Sequence, residues 1–145
     1  MPYMEINAEN PENAYREFQR IFAEHELSRK PMVAYFFGGE SSKNIWCSWC
    51  RAAEPVFARL AERFSDAVDV YAVAVGNEEN WKNMDSGGAR INPFFANAPN
   101  VVSVPTLVVA AVYHGAFRIA ARVSIPEDPT ELDLEKIVSA FVKLG

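Results

Sequence analysis

Seven consecutive residues, Pro31-Met32-Val33-Ala34-Tyr35-Phe36-Phe37, carry no charge and show no polar alternation, and Gly38-Gly39 ends them. A run so short and so uniformly apolar reads as a strand covered on both faces, the kind found inside a parallel sheet with helices on either side. The flanking segments fit that reading. Upstream, Asn10 followed by Pro11 has the form of a helix N-cap with proline at the first helical position, and Ala14, Phe18, Ile21, Phe22 and His25 then share one helical face as far as about Leu27. Downstream, Gly38 to Ile45 is a polar loop. From Cys47 the pattern turns helical again, with Ala53, Val56, Phe57, Leu60, Ala61 and Phe64 on the apolar side and Pro55 expected to kink the helix. Val68 to Val75 reads as a second strand, returning beside the first in a right-handed βαβ unit.

Gly76 to Pro99 reads as a long connection rich in Asn, Gly and Pro, with a short helix beginning at Asn92-Pro93. Val101 to Tyr113 and Phe117 to Ser124 are two further strands, joined by a hairpin turn at Tyr113-His114-Gly115-Ala116. Asp128-Pro129-Thr130-Glu131 has the spacing of a capped helix start, and Leu134, Ile137, Val138 and Phe141 extend an apolar stripe. The order is αβαβ(α)ββα, an α/β fold with a mixed sheet of four to five strands flanked by helices.

Half of the 145 residues are hydrophobic, enough for one core, so residues 1–145 are expected to form a single domain. The formal net charge of −5, with no cluster of Lys and Arg, argues against nucleic acid and anionic membranes as partners. Met1 to Glu5 lack a basic start followed by an apolar stretch, and the longest apolar run, Val104 to Tyr113, is far too short to span a bilayer. A soluble, unprocessed monomer is expected. The only two cysteines lie three positions apart, unlike a secreted disulfide framework, and no Asn-x-Ser/Thr occurs. Both features favour the cytosol.

Those cysteines, in Trp46-Cys47-Ser48-Trp49-Cys50, fall where a strand and its loop enter a helix. Cys47 at the helix N-terminus meets unpaired N–H groups and the positive end of the macrodipole, which stabilise a thiolate and make Cys47 the nucleophile. Cys50, one turn deeper, is placed to resolve the mixed disulfide that Cys47 forms. Three other readings stand beside this one. A structural disulfide across so short a loop would stabilise the fold by only about 2 kcal/mol. A zinc site needs four ligands, and neither His25 nor His114 has ligand spacing. The third is a pair of inert core cysteines.

The chain resembles the thioredoxin superfamily through Trp46-Cys47-x-x-Cys50, through Pro55 five residues after the second cysteine, and through Val104-Pro105-Thr106. From about Phe18 to Leu144 it is most similar to the cytosolic thioredoxin-related branch typified by thioredoxin domain-containing protein 17. Ala34-Tyr35-Phe36 with Gly38, the lengthened loop before Trp46, Ala53-Glu54-Pro55, Trp81-Lys82 and Val104-Pro105-Thr106-Leu107 carry that likeness. The resemblance implies a thioredoxin-like fold and a thiol–disulfide oxidoreductase with no bound cofactor. Electrons would come from NADPH through thioredoxin reductase and pass to cystine or protein disulfides. It also implies a cis Pro105 facing the cysteine pair, with the Ser103-Val104 backbone edge pairing with substrate. Gly38 to Ile45 would restrict which proteins dock. The departure is Ser48-Trp49, where the family usually has Pro-Asp, and a more oxidising pair is expected from it.

Thioredoxins usually hold a buried acid on the strand before the motif, and Met32 to Phe37 has none. Glu54, one turn after Cys50, is the nearest candidate proton acceptor, and an ordinary solvated helix residue is the equal alternative; Glu40 and Lys43 are weaker candidates. Trp46 either covers the disulfide or packs in the core, and Trp81 either closes the long loop or packs. His25 and His114, without visible partners, are expected in solvent. Two other functions compete: a non-catalytic binding module on the same fold, which an exposed Trp49 would also suit, and a tryparedoxin-like or nucleoredoxin-like oxidoreductase fed by another reductant.

Overall fold

A computed structural model describes residues 3–126 and 133–142. Its central sheet has five strands in the order β1-β5-β2-β6-β7. These are β1 (Met4–Ile6), β2 (Met32–Phe37), β5 (Asp69–Ala74), β6 (Thr106–Tyr113) and β7 (Ala116–Ser124). The strands β1, β5 and β2 run parallel, whereas β6 pairs antiparallel with β2 and β7 antiparallel with β6. A separate two-stranded hairpin, β3 (Gly39–Ser41) with β4 (Asn44–Ile45), occupies the expected Gly38 to Ile45 loop.

All six residues of β2 are buried, and their side chains show why the run admits no polar member. Tyr35 stacks on Phe57 of helix α2 (Ser48–Phe64) at 4.6 Å between ring centroids. Phe36, on the opposite face, meets Phe18 of helix α1 (Pro11–Ser28) edge-on at 5.4 Å. One strand thus serves two apolar layers. Helix α1 starts as read, with the Asn10 side chain accepting from Asn13 N–H and Pro11 at the first position, and it buries Ala14, Phe18, Ile21 and His25. The two-residue turn at His114-Gly115 has positive φ at both positions, 52° and 81°, as a tight hairpin requires.

The structure corrects the reading in four places. Strand β1 was not expected: three residues with Glu5 in the middle give no pattern, and parallel pairing with β5 is what holds them. The strand read from Val101 begins instead at Thr106, because Val101 N–H donates to Phe94 O and Thr106 Oγ1 donates to Ser103 O. Gly76 to Pro99 holds two short helices, α3 (Glu78–Lys82) and α4 (Pro93–Ala96), organised by side chains. Asn92 is buried, with Nδ2 donating to Val75 O and Asn80 Oδ1, both at 2.7 Å, while Arg90 lies over the rings of Trp81 and Phe95. His25, expected in solvent, is 4% exposed. Its Nδ1 meets Lys30 O at 2.7 Å and its Nε2 meets the Tyr71 hydroxyl at 2.8 Å, partners far away in sequence or on the backbone. The helix start read at Asp128 to Glu131 lies outside the described residues; helix α5 (Leu134–Ser139) is capped by Asp133.

Candidate active site

The site is built at the end of β2, where the strand leaves the sheet through Gly38. The Gly38 carbonyl accepts from both Trp46 N–H and Cys47 N–H, at 3.1 and 3.3 Å, and its own N–H donates to Cys50 Sγ at 3.3 Å. A side chain there would put Cβ 2.7 Å from the Trp46 ring and 2.8 Å from Cys47 Cβ, so only glycine lets the strand end approach the cysteines. Trp46 is half-buried and donates through Nε1 to Gly76 O at 2.9 Å, tying the approach to the helix to the end of β5. It therefore both packs and is hydrogen-bonded.

Cys47 is the N-cap of α2: its backbone is extended, and its Sγ accepts from Cys50 N–H at 3.2 Å. The two cysteines are joined as a disulfide with Cα atoms 5.2 Å apart. Both cysteines are buried, Cys50 wholly and Cys47 with 9% exposure, so the residue at the helix N-terminus is the less enclosed of the two. The Tyr35 hydroxyl donates to Cys50 O at 2.9 Å. Burial, together with the charges of Glu54 and Tyr3, pushes the Tyr35 phenol far up from its ordinary value, so it stays a donor.

On the open side, Val104 O lies 3.8 Å from Cys47 Sγ, and the Val104-Pro105 peptide is cis. Val104 is half-buried and Pro105 buried. Ser103 is engaged elsewhere, its hydroxyl 3.1 Å from that of Ser124 and its carbonyl accepting from Thr106. Ser48 and Trp49 face solvent, Trp49 being 47% exposed. Glu54 is half-buried, 3.5 Å from the Tyr3 hydroxyl, and borders the same small cavity as Cys50. Glu40 and Lys43 lie on the hairpin, Lys43 in solvent, while Trp81 is buried against Phe95 in the long connection. His114 is exposed in the β6–β7 turn. Among the described residues, no group of three or more His, Cys, Asp or Glu could hold a metal.

Sequence reasoning overlooked three residues that shape the site. Tyr35 was legible in principle, since a phenol inside a buried strand needs a partner for its hydroxyl. Gly38 was read only as a strand end. Tyr3 gave no signal, because its neighbour Glu54 is 51 positions away.

A five-stranded mixed sheet between helices, with a disulfide-capable cysteine pair at the N-terminus of α2, defines a thioredoxin fold. Solved thioredoxins agree with it. The Trichomonas vaginalis thioredoxin is 15% identical over 96% of each chain, with a TM-score of 0.56. Oxidised thioredoxin O2 of Arabidopsis thaliana is 21% identical, covering 96% of this chain and 90% of its own, with a TM-score of 0.55. The Plasmodium falciparum thioredoxin is 15% identical over 95% and 87%, also at 0.55. No curated protein matches. The chain belongs to the thioredoxin domain-containing protein 17-like family, whose thioredoxin-domain model matches residues 11–121. No helix of the described residues is long and apolar enough to cross a membrane.

Proposed function

We propose that this chain is a thiol–disulfide oxidoreductase that reduces cystine and protein disulfides through Cys47 and Cys50, with NADPH supplying electrons by way of thioredoxin reductase. The observation that carries the reading is the asymmetry of the pair: the less enclosed cysteine caps a helix N-terminus beside a backbone carbonyl, and the fully enclosed one sits one turn behind it. In the reduced form, the Cys47 thiolate attacks one sulfur of the substrate disulfide. A mixed disulfide forms, and the first substrate thiolate leaves. Cys50, once deprotonated, attacks Cys47 Sγ, forming the Cys47–Cys50 disulfide and releasing the second substrate thiolate. Two electrons have passed to the substrate, and a reductase returns two from NADPH.

Ser103, Val104 and Pro105 form the substrate-facing edge in this reading, with the Val104 carbonyl free to accept from an extended substrate backbone. Trp46 and Ser48 frame Cys47, and Trp49 offers an apolar surface to substrates. The net charge of −5 and the absence of a basic cluster weigh against nucleic acid and anionic membranes as partners. The expected setting is the cytosol, as a monomer.

The test is NADPH consumption with thioredoxin reductase and cystine or insulin as acceptor. Catalytic turnover that Cys47→Ser abolishes is the expected result. No turnover with any reductant would favour the non-catalytic docking module, and turnover only with another reductant would favour the tryparedoxin-like or nucleoredoxin-like alternative.

A further inference from the structure

Resolution of the mixed disulfide poses a proton problem that the pair alone does not solve. Cys50 is wholly enclosed, and burial raises a thiol's pKa, yet only the thiolate can attack Cys47. The Gly38 N–H facing Cys50 Sγ stabilises a thiolate but cannot take a proton.

A cavity of about 20 Å³ is lined by Cys50, Glu54, Tyr35, Tyr3 and Glu5. That volume admits one water, and the polar groups around it supply the partners a water needs. The titratable groups facing it are Tyr3, just before β1, Glu5 from β1, Tyr35 from β2 and Glu54 from α2; β5 contributes Ala72, and the hairpin Ser42 and Ile45. The tyrosines cannot serve as bases. Burial and the Glu54 charge raise both phenols, so each keeps its proton and acts as a donor. Of the two carboxylates, Glu5 already accepts from Ser42 N–H at 2.8 Å. Glu54 lies one turn beyond Cys50 on the same helix, with the Tyr3 hydroxyl at 3.5 Å and the Tyr3 ring against Phe57 at 5.1 Å.

We propose that Glu54 receives the Cys50 proton through one water in this cavity, and that Tyr3 is the positioning residue that holds the carboxylate for it. The thiol gives its proton to the water, the water gives one to Glu54, and the Cys50 thiolate then displaces the substrate thiolate from Cys47. When the pair is reduced again, the same path returns the proton. The proposal rests on the oxidoreductase reading and deepens it by tying Tyr3, at the entry to β1, to the second chemical step.

The reduced protein mixed with 5,5′-dithiobis(2-nitrobenzoate) in a stopped-flow instrument separates the steps. The first thionitrobenzoate reports attack by Cys47, and the second reports resolution by Cys50. Glu54→Gln is expected to slow the second phase about tenfold or more at pH 7 while leaving the first unchanged, the scale of a lost general base. The deficit should close at high pH, where hydroxide deprotonates the buried thiol. Glu54→Asp should restore part of the rate, and Tyr3→Phe, which removes only a hydroxyl, should slow the second phase less. A second phase in Glu54→Gln that matches wild type across the pH range would overturn the proposal. So would equal slowing of both phases, or the same deficit produced by Glu5→Gln. Release of a single thionitrobenzoate by the wild type would instead remove the dithiol cycle beneath it.

Discussion

The two ends of strand β2 are finished in opposite ways. At its Met32 end, polar side chains close on one another: His25 bridges Lys30 O and the Tyr71 hydroxyl, and Lys30 pairs with Asp69 at 2.8 Å. At its Phe37 end the polar groups are backbone, namely the Gly38 peptide, the α2 N-terminus and the Val104 carbonyl, and they converge on two sulfurs. The first arrangement is internally satisfied and fixes the sheet to α1. The second places the less enclosed cysteine, Cys47, beside the Val104 carbonyl. Stability and chemistry therefore separate along one strand, and substitutions at the two ends should separate them too.

The largest effect is expected from Gly38→Ala. The added methyl meets Trp46 and Cys47 at under 3 Å on a side with no room, so the strand end or the N-cap must shift. Overpacking of this kind costs about 1–3 kcal/mol, and displacing Cys47, the proposed nucleophile, should also cut disulfide reduction by at least about tenfold. Denaturation midpoints and the cystine assay measure the two losses together.

His25→Ala is the counterpart at the other end. It strands the Tyr71 hydroxyl and the Lys30 carbonyl, at a cost of about 1–3 kcal/mol. Activity of the folded protein should not change. The same end sets an alkaline limit: burial, and next the charge of Asp69, push the Tyr71 phenol up to about 12. Unfolding releases it to its ordinary value near 10, so stability is full below pH 10 and falls as pH rises toward 12. Tyr71→Phe should flatten that part of the curve in urea melts taken at each pH. A rate loss in His25→Ala would show instead that the two ends of the strand are coupled.

The smallest effect concerns the site's surface. Ser48 and Trp49 leave no acid beside Cys47, and the Ser48 hydroxyl can donate to its thiolate; both favour the reduced form. Ser48→Pro/Trp49→Asp should lower the reduction potential by about 30 mV, equivalent to about 1.4 kcal/mol, in a glutathione titration. An unchanged or higher potential would assign the redox poise to groups behind the pair.

How much was legible in the sequence follows the same division. The buried run of β2, the cysteine pair entering α2 and the His114-Gly115 turn were readable because each rests on local pattern and turn chemistry. Asn10-Pro11 announced α1 for the same reason. What escaped depends on partners distant in sequence. His25 sits on the apolar face of α1, but its burial needs Tyr71, 46 positions away. Val101 looks like strand, and only the Phe94 carbonyl shows that its N–H is spoken for. The Gly76 to Pro99 connection has no periodicity to read, since Asn92 and Arg90 organise it through their side chains. Glu54 was visible as an acid one helical turn past Cys50, whereas the cavity and Tyr3 that set it apart from a solvated residue were not.

In the proposed function, the helix N-terminus makes Cys47 the attacking sulfur while Cys50 waits behind it. Alkylation of the reduced protein with iodoacetamide across pH 5–9, followed by peptide mapping, tests it directly. The expected result is that Cys47 is labelled first, with a midpoint below the ordinary thiol value of about 8.5, and that Cys50 stays unlabelled until the fold is opened. Labelling of Cys50 first, equal labelling of the two, or a Cys47 midpoint at or above about 8.5 would contradict it.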